Sequence, residues 1–304
     1  MLDETAKGVF IIAATPFTPD GALDLDSVDR MVDFYVEKGA TGLTILGIMG
    51  EAGKLSAAES EAIIKRVVDR TDLPIIVGVS AAGLAPMQAL AGTAMQAGAA
   101  GVMVAPPHTL STDDQITGYY HNVGEALGDT PWVLQDFPLV TKVIVPTKVI
   151  LQIVEDCPTC VMLKHEDWPG LEKISALRNA SDNGARRISI LCGNGGQFLA
   201  EEMLRGADGA MTGFAFPEMM ADVVVAMSAG DETRARDIFD AYLPLVRYES
   251  QPGLGLAIRK YILTKRGAIA HATVRKPGPA LSAAAVQEID TLIARQEARL
   301  ATLN

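Results

Sequence analysis

Residues 74–105 read PIIVGVSAAGLAPMQALAGTAMQAGAAGVMVA. Two short apolar runs, 74–79 and 101–105, flank a helical stretch, 86–97, giving strand, helix and strand in about thirty residues. Pro86 suits the first turn of that helix, where its missing N–H has no intrahelical partner to lose. The helix stops at Gly98, where glycine can take positive φ, and Gly101 opens the next strand. The small residues between them allow helix and strand to approach closely.

The same unit recurs on both sides. Upstream, apolar runs at 8–14 and 42–46 precede helical stretches at 26–37 and 57–70. The pair begun at 101–105 is completed by a helix at 112–127. Downstream, runs at 131–135, 159–164, 187–192 and 209–212 precede helices at 146–155, 170–179, 196–204 and 217–227. Strand starts recur roughly every 20 to 35 residues, and each strand is continuously apolar, as a parallel sheet covered on one face and filled on the other requires. Ser56-Ala-Ala-Glu59 has the capping-box pattern. Lys38-Gly39 and Arg205-Gly206 repeat the glycine stop, again with a glycine opening the following strand.

Eight units predict an α/β fold, a closed (β/α)8 barrel over residues 1–225, with a C-terminal helical extension over 226–304. The extension reads as helices at about 231–248, 254–266 and 283–301. An open doubly wound sheet needs a switch point and an early glycine fingerprint, and neither is present.

The chain has 304 residues, 49% hydrophobic and 21% charged, with a formal net charge of −11. That balance argues against nucleic-acid or anionic-membrane partners, while allowing a local positive pocket. The N-terminus lacks a secretion signature and no apolar segment reaches membrane length, so a cytoplasmic location is expected. Cys157-Pro-Thr-Cys160 is formally a CxxC, but it leads into a strand and lacks the helix N-terminus or further ligands that redox or zinc chemistry needs. Inert buried thiols are expected there.

Barrel chemistry gathers at the C-terminal ends of the strands. There the chain places Thr15-Pro-Phe17, Gly47-Ile-Met-Gly-Glu51, Pro106-Pro-His108, Gln135-Asp-Phe-Pro138, Lys164-His-Glu-Asp167, Gly193-Asn-Gly-Gly196 and Gly213-Phe-Ala-Phe216. Lys164 follows an apolar run, where a lysine is costly unless solvated, paired or put to use; as a free amine it can attack a ketone and form an imine. Ile48 and Met49 bring no side-chain donor, so their turn offers backbone N–H groups, suited to a carboxylate. Glu51 is expected to support that turn or cap the next helix. His108 and His165 are candidate acid–base groups, although either can simply satisfy loop hydrogen bonds.

These motifs, with Leu55-Ser56, Gly78, Gly206-Ala-Asp-Gly209, Thr212-Gly213 and Pro217 in the same order, resemble the dihydrodipicolinate synthase and N-acetylneuraminate lyase superfamily over essentially the whole chain. The resemblance implies a homotetramer of barrels whose strand-six lysine, here Lys164, forms an imine with a 2-oxo acid, without metal or other cofactor. Two departures affect the reaction. Ile48 and Met49 stand where the family has two hydroxyl residues, and Gln135 and Asp136 stand where it has a tyrosine and an asparagine. The usual proton shuttle is therefore missing, and Gln135 can orient an oxygen but cannot serve as an ordinary acid or base.

The signatures at 47–51, 135–138 and 164–170 resemble the sugar-acid dehydratase branch. That implies a small 2-oxo sugar acid as partner and dehydration of L-2-keto-3-deoxyarabonate to 2-oxoglutarate semialdehyde. A class I aldolase for a 2-keto-3-deoxy sugar acid and a non-catalytic sugar-acid sensor are the alternatives. On the dehydratase reading, Lys164 is the nucleophile and Gln135 orients the substrate. Backbone groups of Ile48, Met49 and Gly50 hold the carboxylate, and Asp136, Gly193 and Asn194 contact the substrate. Asp136, His165 or Glu166 can replace the missing shuttle only if its side chain enters the cavity, and His165 is favoured to move the C3 proton.

Overall fold

The structure, a computed structural model, describes residues 1–168 and 170–303; Pro169 of the 164–170 signature lies outside the described residues. Strands and helices alternate along the chain: β1 Gly8–Ile12, α1 Leu25–Glu37, β2 Gly42–Ile45, α2 Ala57–Arg70, β3 Ile75–Gly78, α3 Leu84–Ala97, β4 Gly101–Val104 and α4 Asp113–Leu127. After β5 (Trp132–Asp136) a single helical turn, α5 (Pro138–Thr141), precedes α6 (Thr147–Asp156). Then come β6 Cys160–His165, α7 Leu171–Asp182, β7 Ser189–Cys192, α8 Leu199–Leu204, β8 Gly209–Thr212 and α9 Pro217–Ser228. All eight strands are parallel and form one closed barrel in sequence order, the expected (β/α)8 architecture. Closure brings β1 against β8 so tightly that a β-carbon on Gly209 would lie 1.9 Å from the Gly8 carbonyl oxygen.

Local sequence explains the elements. The 56–59 capping box forms as read, with Ser56 accepting from the Glu59 N–H and Glu59 accepting from the Ser56 N–H. A second box caps α4 through Thr112 and Gln115. Each strand is buried along its length because its two faces serve two cores. Outside the barrel, aliphatic strand residues pack against the helices. Inside, Phe10, Ile12, Ile76, Met103, Val133, Met162, Leu191 and Met211 form a plug, closed at the N-terminal end by Leu2. Met49 packs partly buried against the same plug.

The extension consists of α10 (Glu232–Glu249), α11 (Gly255–Lys265) and α12 (Ala283–Leu300). Helix α11 presses charged side chains against the C-terminal rim: Arg259 pairs with Glu249 at 2.6 Å and donates to the Gly213 carbonyl. All three cysteines are free and buried, and burial pushes the Cys160 and Cys192 thiols up, away from the reactive thiolate. Among the described residues, no helix is long and apolar enough to cross a membrane.

Candidate active site

The site stands on β5 and β6, where residues Gln135 and Lys164 are register partners. Successive strand residues face opposite sides, so the positions after inward-facing Val133 and Met162 that again face inward are Gln135 and Lys164. Glu166, two residues beyond Lys164, falls on the same side. Lys164 Nζ lies 2.8 Å from Glu166 Oε2, and Gln135 Nε2 donates to that same oxygen at 2.7 Å. Lys164 and Glu166 are each only 4% exposed, so a buried amine, carboxylate and carboxamide meet above the apolar plug.

Gly193, at the end of β7, makes room for this trio. A β-carbon there would lie 2.1 Å from Glu166 Cγ, so a side chain at position 193 would displace the carboxylate. Its N–H donates to the His165 carbonyl at 2.8 Å. Asn194 adopts positive φ, and its Nδ2 donates to the carbonyls of Glu166 at 3.0 Å and Asp167 at 3.4 Å. Gly193 and Asn194 thus hold and accommodate the end of β6; the Asn194 amide is engaged by backbone, whereas the sequence reading aimed it at a substrate chain.

The other two candidates on these strands face away. Asp136 and His165 are themselves register partners, buried on the outer face under α7. Lys173 of α7 donates to Asp136 Oδ2 at 2.7 Å and to the Val145 carbonyl at 2.8 Å, and its Nζ also lies 2.7 Å from Asp167. His165 Nε2 is 3.1 Å from the Gly170 carbonyl, and its Nδ1 is 3.9 Å from Asp136 Oδ2. Burial pushes Asp136 up to about 6, against the pull of Lys173. Burial, reinforced by Lys173, pushes His165 down to about 4. The expectation that His165 carries the C3 proton, and that Asp136 contacts the substrate, does not fit this placement.

The reason is one residue. Between Trp132 and Val133, which pair with Cys160 and Met162, β6 carries an extra residue, Val161. Val161 and Met162 both join the interior plug. Simple alternation from outward-facing Cys160 would have turned His165 inward; the irregularity reverses the parity and turns Lys164 and Glu166 inward instead.

On β2, Gly47 leads into a 3-10 turn, Ile48–Gly50. The first N–H groups of such a turn, those of Ile48 and Met49, have no acceptor within it. The Gly50 N–H already donates to the Gly47 carbonyl at 3.0 Å, so Gly50 does not join them as expected. The Ile48 side chain is exposed and Met49 half-buried. Glu51 does not cap α2, which Ser56 caps; it is buried in a left-handed conformation, at φ 56°, with its carboxylate turned toward the extension. His108 lies exposed on the loop after β4. Glu166 is the residue that sequence reading undervalued, and its signal was the Lys-x-Glu spacing, which places both side chains on one strand face.

A model of the dihydrodipicolinate synthetase family matches residues 5–296. A crystal structure of dihydrodipicolinate synthase from Rhodopseudomonas palustris is 56% identical, with a TM-score of 0.95, over 97% of this chain and 99% of that one. A 4-hydroxy-tetrahydrodipicolinate synthase from Sorangium cellulosum is 32% identical over 96% of this chain and 97% of its own length. An L-2-keto-3-deoxyarabonate dehydratase from Azospirillum brasilense is 27% identical, over 90% and 89% respectively.

Proposed function

The chain belongs to the dihydrodipicolinate synthetase family, whose lysine-dependent Schiff-base chemistry it shares, and on that premise we propose that Lys164 captures the C2 ketone of a 2-oxo acid while Glu166 carries protons for it. The observation behind the proposal is the buried contact of Lys164 Nζ with Glu166 Oε2 at 2.8 Å. Glu166 accepts a proton from Lys164, the free amine adds to C2, and the carbinolamine hydroxyl takes that proton from Glu166 and leaves as water, giving a protonated imine and a free Glu166 carboxylate. The positive nitrogen acidifies C3, and the Glu166 carboxylate removes a C3 proton to give an enamine. Gln135 holds the same carboxylate and orients it. The N–H groups of Ile48 and Met49 receive the substrate carboxylate.

The finer reading is dehydration of L-2-keto-3-deoxyarabonate. The enamine expels the C4 hydroxyl, which takes the proton from Glu166 and leaves as water. Loss of a C5 proton gives a dienamine; protonation at C4 with release of the C5 hydroxyl proton makes the aldehyde, protonation at C3 restores the imine, and its hydrolysis releases 2-oxoglutarate semialdehyde and free Lys164. Two observations support this reading: the Azospirillum brasilense relative, and the absence of a phenol from the strands, since all six tyrosines lie on helices. A phenol is the group the resemblance assigns to proton transfer on the C4 oxygen in aldol chemistry.

A second reading, C3–C4 cleavage or formation by an aldolase, is supported by the synthase names of the Rhodopseudomonas palustris and Sorangium cellulosum relatives. It shares every step to the enamine and then deprotonates the C4 hydroxyl.

Incubation with L-2-keto-3-deoxyarabonate, rapid borohydride reduction, intact mass and peptide mapping separate the two. A dehydrated five-carbon adduct on Lys164 is the expected result. A three-carbon pyruvate remnant there assigns the aldolase reading, and no adduct despite measured binding overturns imine chemistry altogether.

A further inference from the structure

Lys260 is 209 residues from Glu51 in sequence, yet the two form a fully buried ion pair at 2.5 Å. The Lys260 ammonium also donates to the carbonyls of Thr15, at 2.7 Å, and Thr273, at 2.8 Å, so its three protons have three acceptors. It lies 4.6 Å over the Phe17 ring. Lys260 thereby ties the loops after β1 and β2 to each other and to helix α11. Thr15 strengthens the tie by donating its hydroxyl to the Gly50 carbonyl at 2.5 Å. The other Glu51 oxygen accepts from Lys54 Nζ at 2.8 Å and from the Arg275 N–H at 3.0 Å.

This network grips one end of the 48–50 turn. A non-glycine residue in the left-handed region persists only when its surroundings hold it there, and Glu51 at φ 56° is held by three donors. At the other end, β3 presses on the turn's entry, for a β-carbon on Gly78 would lie 2.4 Å from the Leu46 carbonyl oxygen. Ile48 and Met49 lie between these anchors. The hydrogen bonds of Lys260 go to Thr15, Glu51 and Thr273 and not to the Lys164, Glu166 and Gln135 trio, so its reach to the chemistry is through the turn.

We propose that Lys260, from the C-terminal extension, is a positioning residue that aims the Ile48 and Met49 N–H groups at the substrate carboxylate, and so makes the site selective for 2-oxo acids over neutral ketones. This rests on the reading that the turn receives the carboxylate and Lys164 forms the imine.

The test measures borohydride capture at Lys164 as a function of pyruvate and, separately, of hydroxyacetone, a neutral ketone of similar size. Lys260→Met leaves Glu51 paired with Lys54 and the Arg275 N–H, and Thr15→Val removes the hydroxyl tie without changing any charge. In Lys260→Met the half-saturating pyruvate concentration rises about tenfold, the scale of one charge-assisted hydrogen bond, while that of hydroxyacetone stays unchanged. Thr15→Val gives a smaller shift in the same direction, and decides the matter if Lys260→Met does not fold. Equal shifts for both ketones, or none for either, in variants beside a normally captured wild type overturn the positioning role alone. Absence of any Lys164 adduct in the wild type overturns the imine reading and the positioning role with it.

Discussion

The two faces of the β5–β6 pair carry polar residues of similar kind and equal burial, yet they are built for different tasks. Inward, Gln135, Lys164 and Glu166 meet above an apolar plug, in the interior where the barrel opens at its C-terminal rim. Outward, Asp136 and His165 are covered by α7, with Asp136 paired to Lys173 and His165 set against the Gly170 carbonyl. Burial and polarity together therefore do not identify a catalytic group; the face does. A carboxylate under a helix can only hold structure, whereas a carboxylate beside a buried amine in the barrel mouth can exchange protons with a bound ketone.

Substitutions on each face put that contrast to the test. The largest effect is expected for Lys164→Met, which keeps the stem but removes the amine: borohydride capture of any 2-oxo acid falls to background with the fold retained by circular dichroism. Persistent capture at another lysine would break the assignment of the inward face. Next, Glu166→Gln removes the proton carrier while preserving shape. Turnover drops by about 10²–10⁴-fold, the usual worth of a general acid–base, while pyruvate capture on Lys164 remains detectable. A His165→Gln variant losing as much turnover would move the chemistry to the outward face.

For the outward face the expected change is in stability. Lys173→Met leaves Asp136 buried without its cation and costs about 3–5 kcal/mol in urea unfolding, with Asp136→Asn in the same chain recovering part of the loss. Half-saturation of Lys164 by pyruvate is unchanged in the double variant.

The smallest expected effect is a pH dependence in which two terms oppose each other. Asp136 titrates at about 6 in the fold against an ordinary 3.8, so between these values the native state holds a proton that the unfolded chain has released, and its contribution falls as pH rises. His165 titrates at about 4 against 6.5, so over its window the unfolded chain holds the extra proton and the contribution rises with pH. In the wild type the two slopes largely cancel between pH 4 and 6. Relative to wild type, His165→Gln exposes the falling slope and Asp136→Asn the rising one, each up to about 1.4 kcal/mol per pH unit. Parallel stability profiles for all three proteins would show that these groups do not titrate where burial places them.

Much of this was open to reading from residues in order. The glycine stops at 39, 98 and 206, the capping box at 56–59 and the short apolar runs are local signals, and each formed the element it announced. The rim motifs fell at strand ends because strand order itself puts them there. Glu166 was visible as a neighbour of Lys164 but ranked below His165, since no periodicity marks the extra residue at Val161. The grip of Lys260 on Glu51 had no sequence signal, because a contact across 209 residues exists only once the barrel has closed and α11 has returned to its rim.

Residue order alone was enough to specify that eight strand–helix units would close into a barrel and that a lysine would stand near the end of the sixth strand. Hydrophobic runs and turn residues act over a few positions, and repetition makes their message unambiguous. Only the folded barrel settled which of three adjacent polar residues, Lys164, His165 and Glu166, would face its interior. A strand reverses its faces with every residue, so the one extra residue pairing against β5 was enough to settle that choice.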